Sequence, residues 1–496
     1  MANRITLLEH MNRNDISAVC GAAVCGGKGT CGKCKVRASG KLSPVTEAEK
    51  KILTRSELDS GIRLACMVYV EGDYTVLPLN ENSVNDMQIQ TEGFAAAGEY
   101  GASPLDGEYG IAVDIGTTTL AVYLCNLKKG IIERTGAARN PQGDYGADVI
   151  TRIGYITENA GGLDLLRNKV IDEINKITDG FGIDKERINH AVITGNTTME
   201  HIFAGLDPKG IANAPFTPAS LFGNKTDGYT SGLHIAGGAA VHMMPCFSAY
   251  VGGDIATGIV ASGVDLSEDT VLYIDVGTNG EIGLGDKTKI DVCSAAAGPA
   301  FEGAKIEKGM AGINGAVSKV WIGGESGKPA YTVIGGGAPA GICGSGLIDA
   351  VAVMLELGVI DETGRLDGKF YIDEEHDIYI SGSDVRELQL AKAAISAGIL
   401  TLMEITGRNA GKVVIAGGFG TFMNAGNACK IGLIPAVYKN KIKSAGNMAG
   451  TGAALYLLNR GLRDRVDNVT HKASYTELSG NMVFMDKFIE QMYFEE

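Results

Sequence analysis

The chain has 496 residues, 45% of them apolar, which is enough for two or more packed domains. Its net charge of −14 argues against a general nucleic-acid or anionic-membrane binder, because both of those surfaces recruit basic proteins. The first fifteen residues lack the unbroken apolar core of a signal peptide, and no uninterrupted run of about 18 apolar residues occurs. The expectation is therefore a cytoplasmic protein with no membrane span.

Residues 1–82 carry the first feature. Five of the ten cysteines fall before residue 67, a clustering that favours metal binding over disulfides. The stretch ITLLEHMNRND reads as a helix, and Met1 nearly abuts it. Cys25, Cys31 and Cys34 follow in a C-x5-C-x2-C spacing, and Cys66 stands in Leu64-Ala65-Cys66. Four thiolates are a ligand set for a [2Fe–2S] cluster. The glycines between Cys25 and Cys34 let backbone amides turn toward the sulfurs, where side chains would obstruct the wrapping. A zinc ribbon would more often show two C-x2-C knuckles, and only one is present. Cys20 reads as a spare thiol. Residues 83–106 are polar and Gly/Ala-rich without a clear period, and read as a linker.

From residue 107 to 496 short β-rich runs alternate with Gly-rich turns and helical stretches, the pattern of α/β architecture. YGIAVDIGTTTLAVYLC (Tyr109–Cys125) and VLYIDVGTNGEIGLG (Val271–Gly285) are internal repeats. Each is an apolar strand, Asp-x-Gly-Thr, then a second strand. The repeat predicts two similar lobes facing one cleft. An Asp at a strand end can hold hydrated Mg²⁺, the Gly permits a tight turn, and the hydroxyls and amides that follow suit phosphate oxygens. Asp114, Gly116, Thr117, Thr118 and Thr119 form one such phosphate hairpin. Asp275, Gly277, Thr278 and Asn279 form the second, near residues 271–285. In Val413–Asn424 an apolar strand enters Gly417-Gly418-Phe419-Gly420, where bare backbone would press against an adenosine. Asp254 is a weaker candidate for a polar role near an attacking water, with helix N-capping as its plain alternative. Asn196 to Thr198 read equally well as a helix cap or as ligand contacts. Phe301, Glu302 and Met310 read as ordinary core or hinge positions, and Cys343 as a buried small residue at a helix start.

Two resemblances rest on these motifs. The cysteine segment resembles [2Fe–2S] ferredoxins of the adrenodoxin and plant types, with a truncated β-grasp fold whose opening hairpin is missing. The succession of hairpin, hairpin and adenosine loop resembles the two-lobed, ribonuclease H-like ATPases of the sugar kinase, Hsp70 and actin superfamily (ASKHA). That resemblance implies ATP and Mg²⁺, with Asp114 and Asp275 organising metal and water. The pairing of both modules, with NPQGDYGADVITRI (140–153), TGNTTMEHIFAG (194–205), SAAAGPAFEGAKIEKGM (294–310), CGSGLIDA (343–350) and the C-terminal YTELSGNMVFMDKFIEQM (475–492), is similar to the reductive activators of corrinoid proteins.

Membership of that family would imply ATP-dependent reduction of cob(II)alamin to cob(I)alamin on a corrinoid protein, for a corrinoid-dependent methyltransferase system. It also implies an upstream low-potential electron donor and is compatible with a homodimer. The 24-residue linker leaves no room for the extra domain that longer members carry. Two other readings use the same motifs. One is an activator of a different low-potential reductase, in which Cys293 and Cys343 would help to hold a subunit-bridging [4Fe–4S] cluster. The other is a nucleotide-gated [2Fe–2S] redox sensor, which would bind nucleotide without turnover.

Overall fold

The computed structural model describes residues 5–13, 27–30, 32, 34–77, 103, 105–324, 327–417 and 422–494. The N-terminal sheet is small and antiparallel, in the order β2-β1-β3, from β1 (Lys35–Leu42), β2 (Ile62–Leu64) and β3 (Val70–Leu77). The helix Leu7–Arg13 packs on it through Leu7, Leu8 and Met11. Two short helices, Glu47–Ile52 and Arg55–Asp59, each begin with a Thr-x-x-Glu capping box, Thr46/Glu49 and Thr54/Glu57. Glu49 does more than cap. It is fully buried and accepts two bonds from Arg63, at 2.8 and 3.0 Å, and one from the Leu64 amide. Those bonds hold its carboxyl below the ordinary range against the opposing effect of burial.

The remaining chain builds two lobes on one plan. In the first lobe β4 (Tyr109–Ile115), β5 (Thr119–Asn126) and β6 (Ile131–Arg139) form an antiparallel meander. β7 (Ile188–Gly195) then adds parallel to the free side of β4, β8 (Lys225–Asp227) comes next in the chain, and β9 (Ala240–Met243) adds parallel to β7. The sheet order is β6-β5-β4-β7-β9-β8. In the second lobe β10 (Val271–Val276), β11 (Gly280–Gly285) and β12 (Ile290–Ala295) repeat the meander. An insertion of two small sheets comes next, made by β13 (Ala316–Ile322), β14 (Pro329–Val333) and β15 (Gly341–Ile342), then by β16 (Lys369–Asp373) and β17 (Ile378–Ser381). β18 (Lys412–Ala416) then adds parallel to β10, and β19 (Ile442–Gly446) parallel to β18. The order is β19-β18-β10-β11-β12-β20, with β20 (Ala473–Tyr475) parallel to β12 at the edge. The two-lobed α/β fold expected from the Asp-x-Gly-Thr repeat is thus present, with the meander and its two parallel strands repeated in both lobes and the sixth strand added on opposite edges, β8 beside β9 and β20 beside β12.

The central strands are continuous apolar runs because both faces are covered. In the first lobe the helix Gly162–Gly180 packs on one face of the sheet. In the second the long helix Gly382–Thr406 packs against β11 and β12. That helix is long and apolar enough to cross a membrane, but 72% of its most apolar window is buried inside the lobe.

Between the two large sheets lie the helices Gly253–Ser262 and Met448–Leu458, whose apolar residues share one core with both lobes. They approach through glycine. A Cβ on Gly452 would stand 2.4 Å from the Thr257 carbonyl oxygen, one on Gly450 2.4 Å from the Tyr123 hydroxyl, and one on Gly258 2.1 Å from the Tyr273 hydroxyl. Replacing Gly452 by Ala forces backbone apart and should cost about 1–3 kcal/mol, lowering the melting temperature. Gly154→Ala, in a helix where an added methyl meets nothing within 4 Å, should raise it slightly. Scanning calorimetry of both variants checks the pair of opposite signs.

Candidate functional site

The shared plan brings the two repeats to equivalent places. Asp114 is the penultimate residue of β4 and Asp275 the penultimate residue of β10, and each is followed by the turn that opens the next strand. Along otherwise buried strands these positions are partly exposed, as are Gly116 to Thr119 and Gly277 to Asn279. Both turns therefore line open space at strand ends.

Asp254 joins the two aspartates from the first turn of the helix Gly253–Ser262. It is not the N-cap, which is Gly252; its Oδ1 accepts from the Ile255 amide at 2.8 Å. Burial pushes Asp254 up to about 8, and the charges of Asp275 and Asp114 add to that. Asp275 is pushed up to about 7, by burial first and then by Asp114. Burial raises Asp114 to about 6, opposed by the Asn447 side-chain amide, which donates to its Oδ2 at 2.8 Å. Glu281 is raised as well, by burial and by Asp254 and Asp275. A divalent cation near these carboxylates would relieve the repulsion among them, although no three among the described residues are set as a direct ligand shell.

The first turn is braced from below. The Asn140 side chain donates to the Gly116 carbonyl at 2.8 Å, and its backbone amide to the Thr118 carbonyl at 2.8 Å. The Arg152 guanidinium donates to the Thr117 carbonyl between them. Three successive carbonyls are thereby engaged on the protein side. Arg152 is fully buried, its other bonds go to the Gly146 carbonyl, Gln142 and Met199, and burial lowers it to about 9. Asn196 is a helix cap, the first of its two sequence readings, and it also bonds the first turn. Its Oδ1 caps the helix Thr197–Ala204 by accepting from the Met199 amide, and its Nδ2 donates to Thr117 Oγ1 at 3.0 Å.

Glu302 is the residue that sequence reasoning missed. Its carboxylate accepts from Thr118 Oγ1 at 2.9 Å and from Thr278 Oγ1 at 2.7 Å, so it spans the two turns. Sequence offers no signal for this beyond the glycines on either side of Pro299–Glu302.

The parallel register sets Asp114 beside Thr194 on β7 and Asp275 beside Ala416 on β18. The segment after Thr194 is thus the first-lobe counterpart of the glycine segment after Ala416. Gly417 has φ +84°, and a Cβ there would stand 2.5 Å from Asp275 Oδ1. Gly418, Phe419 and Gly420 lie outside the described residues.

In the N-terminal sheet, β1 pairs antiparallel with β2, Lys35 opposite Leu64. Cys34 precedes β1 and Cys66 follows β2, so both stand at one end of the pair. The Ala65 amide donates to the Cys34 carbonyl at 2.9 Å, and the two buried sulfurs are 3.3 Å apart. Gly27, Gly29 and Gly32 all have positive φ. Cβ atoms on Gly29 and Gly32 would strike Met67 Sδ at 2.5 Å and Ile52 Cγ2 at 2.8 Å. A close thiol pair beside left-handed glycine backbone fits an iron–sulfur ligand loop. Cys25 and Cys31, like Cys20 and most of 83–106, lie outside the described residues. Cys293 and Cys343 are buried in the second lobe, which leaves neither placed to bridge two subunits.

Comparison with known proteins points one way. A family profile described as the C-terminal ASKHA domain of RACo matches residues 269–496, and one described as the RACo middle region matches 109–267. The corrinoid activation enzyme RamQ of Eubacterium limosum is 36% identical over 423 residues, covering 78% of this chain and 70% of that protein. The [Co(II) methylated amine-specific corrinoid protein] reductase of Methanosarcina barkeri is 25% identical over 413 residues, 75% of this chain and 74% of that protein. A solved reductive activator for corrinoid, iron–sulfur protein superposes with a TM-score of 0.73 at 31% identity, covering 99% of this chain and 95% of that one.

Asn140→Ala leaves the Gly116 carbonyl without the donor of the buried Asn140 side chain, at a cost of about 1–3 kcal/mol located at the first turn. Binding of Mg-nucleotide, followed by calorimetric titration, should weaken roughly tenfold or more.

Proposed function

The chain belongs to the family of reductive activators of corrinoid proteins, and on that premise we propose that it uses ATP to drive one electron from a [2Fe–2S] cluster onto the cobalt of a partner corrinoid protein, returning cob(II)alamin to cob(I)alamin. Reductive activation of a corrinoid protein and an ASKHA-type ATPase body are properties of the family. The cluster type, the metal and the residue roles are our reading. The observation that carries it is the placing of two Asp-x-Gly-Thr turns at matching strand ends of two sheets with the same central strand order, in a chain that also holds the Cys34–Cys66 pair.

Residues 1–82 form the electron-carrying module, 83–106 a linker, and 107–496 the ATPase. Cys25, Cys31, Cys34 and Cys66 hold the cluster. The Glu49–Arg63 pair fixes the Leu64 amide and so the approach of Cys66 to Cys34. When bound, a plant-type [2Fe–2S] cluster supplies a single electron near roughly −400 mV. Cys34 and Cys66 are buried, which keeps water from their sulfurs. An external low-potential donor must refill the site after each transfer.

In the ATPase, Asp114, Asp275 and Asp254 draw Mg²⁺ and its waters into the cleft. Thr117, Thr118 and Thr119 face the phosphates from the first lobe, and Thr278 and Asn279 from the second. Gly116 and Gly277 make the turns tight enough for amides to do the same. Gly417, Gly418, Phe419 and Gly420 offer backbone to the adenosine. A nucleotide held by both turns favours whichever lobe arrangement satisfies both, and it shifts populations only by that difference in affinity. About 59 mV corresponds to a factor of ten, or about 1.4 kcal/mol, for one electron. A modest uphill gap therefore lies within what differential nucleotide binding provides.

The test mixes the anaerobically reconstituted full chain, a low-potential reductant and a candidate cob(II)alamin protein, with and without Mg-ATP. The visible spectrum of cob(I)alamin should develop only with ATP, and equal yields in both arms would contradict the proposal. Iron analysis should give about two irons per chain, and Cys66→Ser should lose most of them.

A further inference from the structure

The Glu302 carboxylate occupies the donors that the nucleotide reading assigns to phosphate. Thr118 comes from the turn after β4 and Thr278 from the turn after β10, and both hydroxyls point their protons at Glu302, at 2.9 and 2.7 Å. No other hydrogen bond joins the two turns among the described residues. A hydroxyl has one proton to give. While Glu302 accepts it, a phosphate oxygen receives none, and two anions at one pair of donors repel.

The surroundings suit an exchange of anions. Arg152 lies buried beneath the first turn, and its hydrogen bonds end on uncharged acceptors. Its charge is thus not cancelled by a direct ion pair and acts on whichever anion sits above the turn. Burial raises the Glu302 carboxyl; the two threonine hydrogen bonds and the Arg152 charge oppose that, and Asp148 adds to it. Glu302 ends the single turn Pro299–Glu302, with Gly298 (φ 75°) before it and Gly303 (φ 76°) after it. Phe301 anchors that turn in the core, at 4% exposure, and a Cβ on Gly303 would strike the Met310 backbone at 2.3 Å. The backbone is fixed, and the side chain of this partly exposed residue is the part able to leave by rotation.

We propose that Glu302 is a built-in competitor of the terminal phosphate: it ties the two turns together in the nucleotide-free protein, and ATP must expel it to bind. The proposal rests on the reading of Thr118 and Thr278 as phosphate contacts. It gives the nucleotide-free cleft a defined structure and makes the turns exchange one anionic bridge for another, so the lobes stay coupled through the cycle. It also separates ATP from ADP, because only a nucleotide whose phosphates reach both hydroxyls has to displace the carboxylate.

The experiment titrates the full chain with Mg-AMPPNP and with Mg-ADP by calorimetry, for the native protein, Glu302→Gln and Glu302→Asp. Gln keeps the acceptor and loses the charge; Asp keeps the charge and is one methylene too short to span both hydroxyls. Glu302→Gln should bind Mg-AMPPNP about tenfold more tightly than the native chain, with a smaller change for Mg-ADP, and Glu302→Asp should shift the same way. Unchanged or weaker Mg-AMPPNP binding by variants that melt with the native protein overturns the competitor role while leaving the nucleotide reading intact. Equal tightening of both nucleotides overturns the selectivity for the terminal phosphate. Failure of the native chain to bind either nucleotide overturns the nucleotide reading and this proposal together.

Discussion

Three carboxylates, Asp114, Asp254 and Asp275, converge where two sheets end, and each is held above its ordinary titration range by burial, with Asp254 and Asp275 raised further by their neighbours. Like charges gathered in a partly dry cleft destabilise the protein unless something compensates. The rest of the ATPase body serves to keep them there. β4 and β10 set Asp114 and Asp275 at matching strand ends, and the helix Gly253–Ser262 brings Asp254 between them. The Asn447 amide that steadies Asp114 caps the second of the two crossing helices, Met448–Leu458. Gly452 lets those helices approach each other, and Gly258 and Gly450 let them approach Tyr273 and Tyr123 on the two sheets. The cleft is thus a site of stored repulsion between carboxylates.

This arrangement explains how nucleotide state can reach the rest of the molecule. Both helices that carry cleft groups are buried in the core shared by the two lobes. Any change in how the two turns engage a ligand is felt as a change in how the sheets press on those helices, and close-packed interfaces respond in discrete steps rather than by stretching. The N-terminal module meets a different demand. Antiparallel pairing of β1 with β2 brings Cys34 and Cys66 together from separate segments.

Much of this was legible in the sequence, for reasons that can be named. Asp-x-Gly-Thr is a local motif, and finding it twice on similar strands was enough to predict two similar lobes. The strand order then came with the fold and needed no long-range guess. Glu302 was not legible, because its partners stand 184 and 24 residues away and nothing about Phe301-Glu302 announces a turn aimed at both. Arg152, on the helix Val149–Glu158, is wholly buried with neutral hydrogen-bond partners, which no local pattern announces. Asn196 could be read either as a cap or as a contact because it is a cap that also bonds Thr117. The cap expected as the alternative for Asp254 is supplied by the backbone at Gly252, which leaves the carboxylate directed at the other aspartates. The β7–β4 register exposed a kinship that composition hides, since Gly195-Asn196 and Gly417 occupy corresponding strand ends without sharing a pattern.

If both turns hold one nucleotide together with one metal-linked set of carboxylates, the stoichiometry of binding is fixed at one. Calorimetric titration of the full chain with a non-hydrolysable ATP analogue and Mg²⁺ should give one equivalent per chain. Asp114→Asn and Asp275→Asn, in different lobes, should each abolish that same single event. Retention of full binding by either variant, or two independent equivalents of which each variant removes only one, would contradict a shared site.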